Sequence, residues 1–187
     1  MRDVIEIETN RLKLRALRME DAPAIARYAG DRRVARMITS APVPYLLVAA
    51  EGWIMTLRAR APLGEDFVFG FEAEELGLVG VIGAHKKKSG AFEIGYWVAP
   101  EHWGRGFATE ALQGFVAEAR ALGPLVAGHF ADNPASGRVL QKGGFAYTGE
   151  TEEAFSLGRG ARGIVKRMRY TPERREIGLG ARVAAVH

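Results

Sequence analysis

Gly104 and Gly106 stand two positions apart, between a segment patterned as a strand and one patterned as a helix. Before them Phe92, Ile94, Tyr96 and Val98 alternate with Glu93, Gly95 and Trp97, an aromatic and β-branched run that breaks at Pro100. After them, apolar residues at 107, 108, 111, 112, 115, 116, 119 and 122 mark one face of a helix. Glycines at such a junction let main-chain N–H groups approach a ligand with no Cβ in the way, where the helix dipole presents its positive end. The chemistry this implies is anion binding, with phosphate as the natural anion. A dinucleotide fingerprint needs a third glycine where Thr109 stands, and a P-loop needs Gly-Lys-Ser/Thr, which the chain lacks.

The run Trp103-Gly104-Arg105-Gly106-Phe107-Ala108 instead resembles the Q/R-x-x-G-x-G/A signature of the GNAT N-acetyltransferases. Its form is that of the ribosomal-protein (Rim-type) branch, in which an aromatic residue is accepted at the first position. Two further segments resemble the same branch: Asn133-Pro-Ala-Ser136 through Gly144-Phe145, and Arg11-Leu-Lys-Leu-Arg15 with Glu20-Asp21. Together they cover roughly residues 9 to 170.

This resemblance implies acetyl transfer from acetyl-CoA to a primary amine, on a protein N-terminus or a small molecule, by direct attack in a ternary complex. It assigns Trp103, Gly104, Arg105, Gly106, Phe107, Ala108, Thr109 and Asn133 to holding coenzyme A. It also assigns the N–H groups near Trp97 and Val98 to the developing oxyanion. A lysine-type amine is unprotonated in only roughly one molecule per thousand at neutral pH. A base is therefore required. Glu93 matches the family's strand carboxylate, and reads equally as a polar residue on a solvent-facing strand position. The departing sulfur needs a proton, and the tyrosine that most of the superfamily uses corresponds to Leu140 here. Ser136 is the hydroxyl of that short segment, to be read as general acid or as helix N-cap. Leu140 also keeps open a catalytically silent acyl-CoA-binding module.

The elements that must position these residues follow from the same patterning. A strand at 11–16 precedes a helix opened by Asp21 and Pro23, with Asp21 as N-cap, and the segment from Gly30 to Pro44 lies by resemblance over the acceptor site. A second helix spans 45–60, with Leu46, Leu47, Ala50, Trp53, Ile54 and Leu57 on one face and Trp53 in the core. Strands at 66–72, 77–85 and 91–98 join by short polar turns, one of them Lys86-Lys87-Lys88, either a solvated turn or a phosphate contact. The strand at 125–131 follows its helix closely, as a parallel β-α-β crossover does. A short helix at 135–142 and a closing hairpin of 145–150 with 164–170 complete the domain, with 150–163 as a glycine-bearing loop. The fold class is thus α/β (α+β): a mixed, mostly antiparallel sheet with a central crossover, flanked by helices.

One acetyltransferase domain spans 1–172, and 173–187 read as a tail that is flexible or contacts a second subunit of a homodimer. With 48% apolar and 26% charged residues the composition is globular, and the absence of cysteine excludes disulfides and thiolate chemistry. His85, His102, His129 and His187 are dispersed without metal spacing. No apolar run reaches membrane length, and the expectation is a cytoplasmic protein. A net charge of +4 favours anionic partners, which a polyphosphate cofactor satisfies; the basic residues accompany no nucleic-acid-binding motif.

Overall fold

The computed structural model describes residues 6–171. The tail at 173–187, with its expected subunit contact, lies outside the described residues. In chain order the elements are β1 (Glu6–Glu8), β2 (Leu12–Ala16), α1 (Ala22–Ala29), α2 (Arg32–Ala35), α3 (Leu47–Arg60), β3 (Asp66–Ala73), β4 (Gly77–Lys86), β5 (Phe92–Val98), α4 (Phe107–Ala119), β6 (Leu125–Phe130), α5 (Pro134–Lys142), β7 (Phe145–Ser156) and β8 (Ala161–Tyr170). The strands form one sheet in the order β1-β2-β3-β4-β5-β6-β8-β7. Among the described strands only the β5–β6 pair is parallel, and α4 is its crossover.

Helices cover both faces of the sheet. On one, Phe107, Leu112, Phe115 and Val116 of α4 and Leu140 of α5 pack against Leu14, Phe69, Phe71, Ile82 and Ile94. The apolar period read from the sequence is the buried face of α4, which ends at Ala119. Leu122 falls in the short 3-10 turn that follows. Phe115 is fully buried, and a side chain of that size stabilises the fold by about 1.5–3 kcal/mol. On the other face Ile25 of α1 and Ala50 and Ile54 of α3 pack against Leu17 and Val81.

Several expectations are corrected. The strand at β1 is additional: three residues, Glu-Ile-Glu, carry too little pattern to stand out. Leu46 and Leu47 are exposed rather than part of the α3 seam, and Trp53 is half-buried against it. Asp21 does not cap α1 through its side chain. It accepts from Arg18 N and, at 2.8 and 3.0 Å, from both terminal nitrogens of Arg15, so both charges are buried together. The largest correction is the loop at 150–163: β7 and β8 continue through it, pairing Thr151↔Lys166 to Ser156↔Ala161.

Candidate active site

The central feature is where β5 and β6 part. They pair at Phe92↔Leu125, Glu93↔Val126 and Ile94↔Ala127, and no further, while β5 stays paired to β4 as far as Gly80↔Val98. In an antiparallel ladder, opposed pairs alternate between exchanging hydrogen bonds and turning away from one another. Ala99 N donates to Val79 O on β4, and Phe92 N to Pro124 O on the β6 side. The main-chain groups of Tyr96 and Val98 therefore face the gap. Those of Trp97 turn toward Val81, and its side chain packs on the α1–α3 face. The expected edge of Trp97 and Val98 is thus corrected to Tyr96 and Val98. The carbonyl of Val98 is taken by the indole of Trp103 at 2.8 Å, which fixes that ring at the mouth of the gap.

The glycine turn lies beside the gap. Gly104 and Gly106 have φ of 76° and 82°, a region L-residues avoid. Outside the chain neighbours, no described atom lies within 4 Å of a Cβ built at Gly104, and the nearest to one at Gly106 is Arg11 Nη2 at 3.4 Å. Among the described residues no side chain caps α4, so the N–H groups of Phe107, Ala108 and Thr109 stand with the helix's positive end and without a side-chain partner. Arg11 and Arg105 both lie 4.9 Å from the centre of the Phe107 ring, and Arg33 5.8 Å from that of Trp103. The turn is therefore bare of side-chain bulk and ringed with guanidinium groups, which suits a polyanion.

Arg11 and Glu110 went unassigned in the sequence, and the structure shows what they do. Glu110 accepts from Thr9 Oγ1 at 2.8 Å, Arg11 N at 2.6 Å and Arg11 Nε at 2.7 Å, while Arg11 Nη1 donates to Arg105 O at 3.1 Å. Partial burial would raise the Glu110 carboxyl, but these donors outweigh it and hold it below its ordinary value. The start of β2 is thereby tied to the turn and to the first turn of α4. The paired arginines of the opening motif thus have separate jobs, Arg11 at the glycine turn and Arg15 in the buried pair with Asp21.

Ser136 is not the cap of α5. Asn133 is, its side chain accepting from Ser136 N at 3.2 Å. The Ser136 hydroxyl sits 2.9 Å from Tyr96 Oη, and Tyr96 Oη also donates to Ser136 O at 3.0 Å. The seat of α5 depends on Gly137. A Cβ there would come to 2.4 Å from Tyr147 Oη and 2.7 Å from His129 Nε2, two groups bonded to each other at 2.9 Å. Gly137→Ala should lift α5 and carry Ser136 out of reach of Tyr96, at about 1–3 kcal/mol of overpacking. The check is denaturant unfolding beside turnover, and an unchanged protein by both measures would refute the close seat.

Glu93 lies on the opposite face of the sheet from Tyr96 and Ser136, so the structure does not bring the two catalytic candidates together. Its carboxylate is held by Lys87 Nζ at 2.7 Å and Arg167 Nη1 at 2.6 Å. Arg167 reaches Glu93 across β6 because its cross-strand partner is Gly128, where a Cβ would come to 2.8 Å from Nη1. Burial pushes Glu93 up, but Lys87 and Arg167 outweigh it, and the carboxyl lies below its ordinary value. Lys87 belongs to the β4–β5 turn, at the end of β5 away from the glycine turn; the phosphate-contact reading of the lysine run is thereby corrected.

On the Glu93 face the segments 30–44 and 150–163 meet. The fully buried Ser156 hydroxyl lies 2.7 Å from Ile38 O, and Leu157 N donates to Thr39 O at 3.1 Å. Arg159 bonds Arg36 O and pairs with Asp132 at 2.8 Å, Arg36 pairs with the same carboxylate at 2.7 Å, and Arg159 lies 4.2 Å from the Phe130 ring.

The acetyltransferase (GNAT) domain family matches residues 11–146. The uncharacterized N-acetyltransferase YoaA of Bacillus subtilis (strain 168) is 34% identical over 149 residues, 76% of this chain and 84% of its own. The uncharacterized N-acetyltransferase p20 of Bacillus licheniformis is 31% identical over 108 residues, 56% of this chain and 60% of its own. Two solved structures share the fold. The ribosomal L7/L12 α-N-protein acetyltransferase RimL with coenzyme A superposes with a TM-score of 0.77 at 19% identity, over 88% of this chain and 96% of that one. Spermidine N-acetyltransferase from Vibrio cholerae with coenzyme A and spermine gives 0.71 at 23% identity, over 86% and 95%.

Proposed function

The chain belongs to the GNAT family of N-acetyltransferases, and from that premise we propose that it moves the acetyl group of acetyl-CoA to a primary amine by direct attack in a ternary complex. The carrying observation is the gap between β5 and β6, opening beside a bare glycine turn at the N-terminus of α4. Acetyl-CoA supplies an activated thioester. The N–H groups of the turn and of α4's first residues, from Gly104 to Thr109, take the diphosphate, with Arg11, Arg105 and Trp103 around it. Asn133, at the start of α5 on the gap's other wall, lies along the pantetheine path. The Tyr96 and Val98 N–H groups line the gap, where a carbonyl oxygen gaining charge is stabilised by fixed donors.

The acceptor is a protein N-terminus or a small-molecule amine, entering on the Glu93 face under the junction of 30–44 with 150–163. Glu93 takes the amine's proton, directly or through water, and Ser136 serves the departing sulfur from the other face. The base and the hydroxyl that serves the sulfur thus stand on opposite faces of the sheet, either side of where β5 and β6 part, as direct transfer requires. Because its carboxyl is held low, Glu93 is ionised throughout the neutral range, and an activity limb near neutral pH belongs to the amine. Glu93→Gln should lower kcat by about 100-fold or more with coenzyme A affinity unchanged. Equal turnover by that variant removes Glu93 as base.

Free-thiol release from acetyl-CoA across a panel of peptides, polyamines, aminoglycosides and amino acids tests the function itself. Release that depends on an acceptor supports it. Coenzyme A binding with no release for any acceptor leaves a silent acyl-CoA-binding module.

A further inference from the structure

We infer that Tyr96 is the positioning residue for the sulfur side of the reaction, aiming the Ser136 hydroxyl into the gap. The inference rests on the acetyl-transfer reading above. A serine hydroxyl turns freely about its C–O bond, so Ser136 by itself has no fixed direction. Here the Ser136 main chain is fixed by Asn133, and its hydroxyl by Tyr96 at 2.9 Å. Tyr96 rises from the strand edge whose main-chain groups line the gap, and Ser136 from the helix on the other wall. The two hydroxyls therefore meet on the α4–α5 face of the sheet, one from each wall of the gap.

Tyr96 has one hydrogen and two acceptors within reach, the carbonyl and the hydroxyl of Ser136. When it donates to the carbonyl, the serine hydrogen is turned back onto Tyr96 Oη. When it donates to Ser136 Oγ, the serine hydrogen is released toward the gap. Burial holds the phenol far above its ordinary value, with the Ser136 bond opposing only in part, so Tyr96 remains a neutral donor through the working range. It keeps its hydrogen.

In the transfer the N–C bond forms as the C–S bond breaks, the amine's proton passes to the base, and the electron pair leaves on sulfur. A thiol has a pKa of about 8.5. The serine hydroxyl is a much weaker acid, so it stabilises the departing thiolate by hydrogen bonding rather than by giving up its proton. A hydrogen bond to a charged group corresponds to roughly 10- to 100-fold in rate.

The test is steady-state kinetics of the wild type, Tyr96→Phe, Ser136→Ala and the double variant, with melting temperatures alongside. Tyr96→Phe should lower kcat about tenfold with the KM for acetyl-CoA unchanged, and the double variant should match Ser136→Ala alone, since the phenol acts only through the serine. Wild-type kcat in Tyr96→Phe, a raised KM instead of a lowered kcat, or a double variant slower than Ser136→Ala by the full Tyr96→Phe factor would each overturn the inference while leaving acetyl transfer standing. A wild-type protein releasing thiol with no acceptor overturns both.

Discussion

Gly104→Val is expected to weaken coenzyme A binding about 100-fold or more while lowering the melting temperature by only about 2–8 °C. Position 104 has φ of 76°, and an L-residue there carries a conformational cost of about 1–2 kcal/mol. Against the protein itself the new Cβ meets no described atom within 4 Å outside its two chain neighbours. On the proposed reading, the space it fills is the space a diphosphate needs to reach the N–H groups of Gly106 to Thr109. Losing two hydrogen bonds to a charged group, at about 1.5 kcal/mol each, corresponds to roughly 100-fold in affinity. Titration calorimetry with coenzyme A, beside thermal unfolding, separates the two effects. Affinity and stability falling in proportion would make this turn an ordinary fold element, and unchanged affinity would remove the diphosphate from it.

Asp21→Ala is expected to destabilise the fold by about 3 kcal/mol. The bidentate Arg15–Asp21 contact is almost fully buried, and removing one partner leaves an arginine that cannot shed its charge. Glu72, at 2.8 Å from Arg15, remains and keeps the loss toward the lower end of what buried pairs show. For a chain of this length the melting temperature should fall by about 6–12 °C. Burial raises the Asp21 carboxyl, but Arg15 and the Arg18 N–H outweigh it, so its folded pKa lies below the ordinary value. A depressed carboxylate contributes stability that is present above its unfolded pKa and lost as pH falls through the folded one. The destabilisation by Asp21→Ala should therefore shrink in acid below about pH 4. A variant that unfolds like the wild type, or a difference independent of pH, contradicts the buried pair.

The glycine turn, α4 and the crossover strand were legible in the sequence because backbone chemistry dictates their residue types: positive φ at 104 and 106, and a buried stripe along α4. The hairpin was legible at its ends and not at its middle. Thr151, Glu152 and Glu153 are exposed on both faces of an edge strand, so no apolar alternation marks them, and only pairing to Ile164, Val165 and Lys166 makes them a strand. Tyr96 was hidden for the opposite reason. It falls in phase with the core residues Phe92, Ile94 and Val98 of β5 and reads as packing, while its partner Ser136 lies 40 positions away on another element. The role of Trp97 was misread because side-chain alternation is visible in sequence, whereas the direction of main-chain groups depends on which neighbour each strand edge has. Glu93 was legible as a carboxylate on a strand, but its two cationic partners follow from the β4–β5 turn and from an arginine passing over Gly128.

On the proposed function, one diphosphate-bearing ligand occupies both the turn at 104–106 and the gap between β5 and β6. The most direct measurement is a crystal structure of the protein with coenzyme A. The expected density has the diphosphate on the N–H groups between Gly104 and Thr109 and the pantetheine arm between the separated strands, with its sulfur beside the Ser136 hydroxyl. Coenzyme A bound away from that turn, or a gap closed by continued pairing of Tyr96 and Val98 with β6, would contradict it.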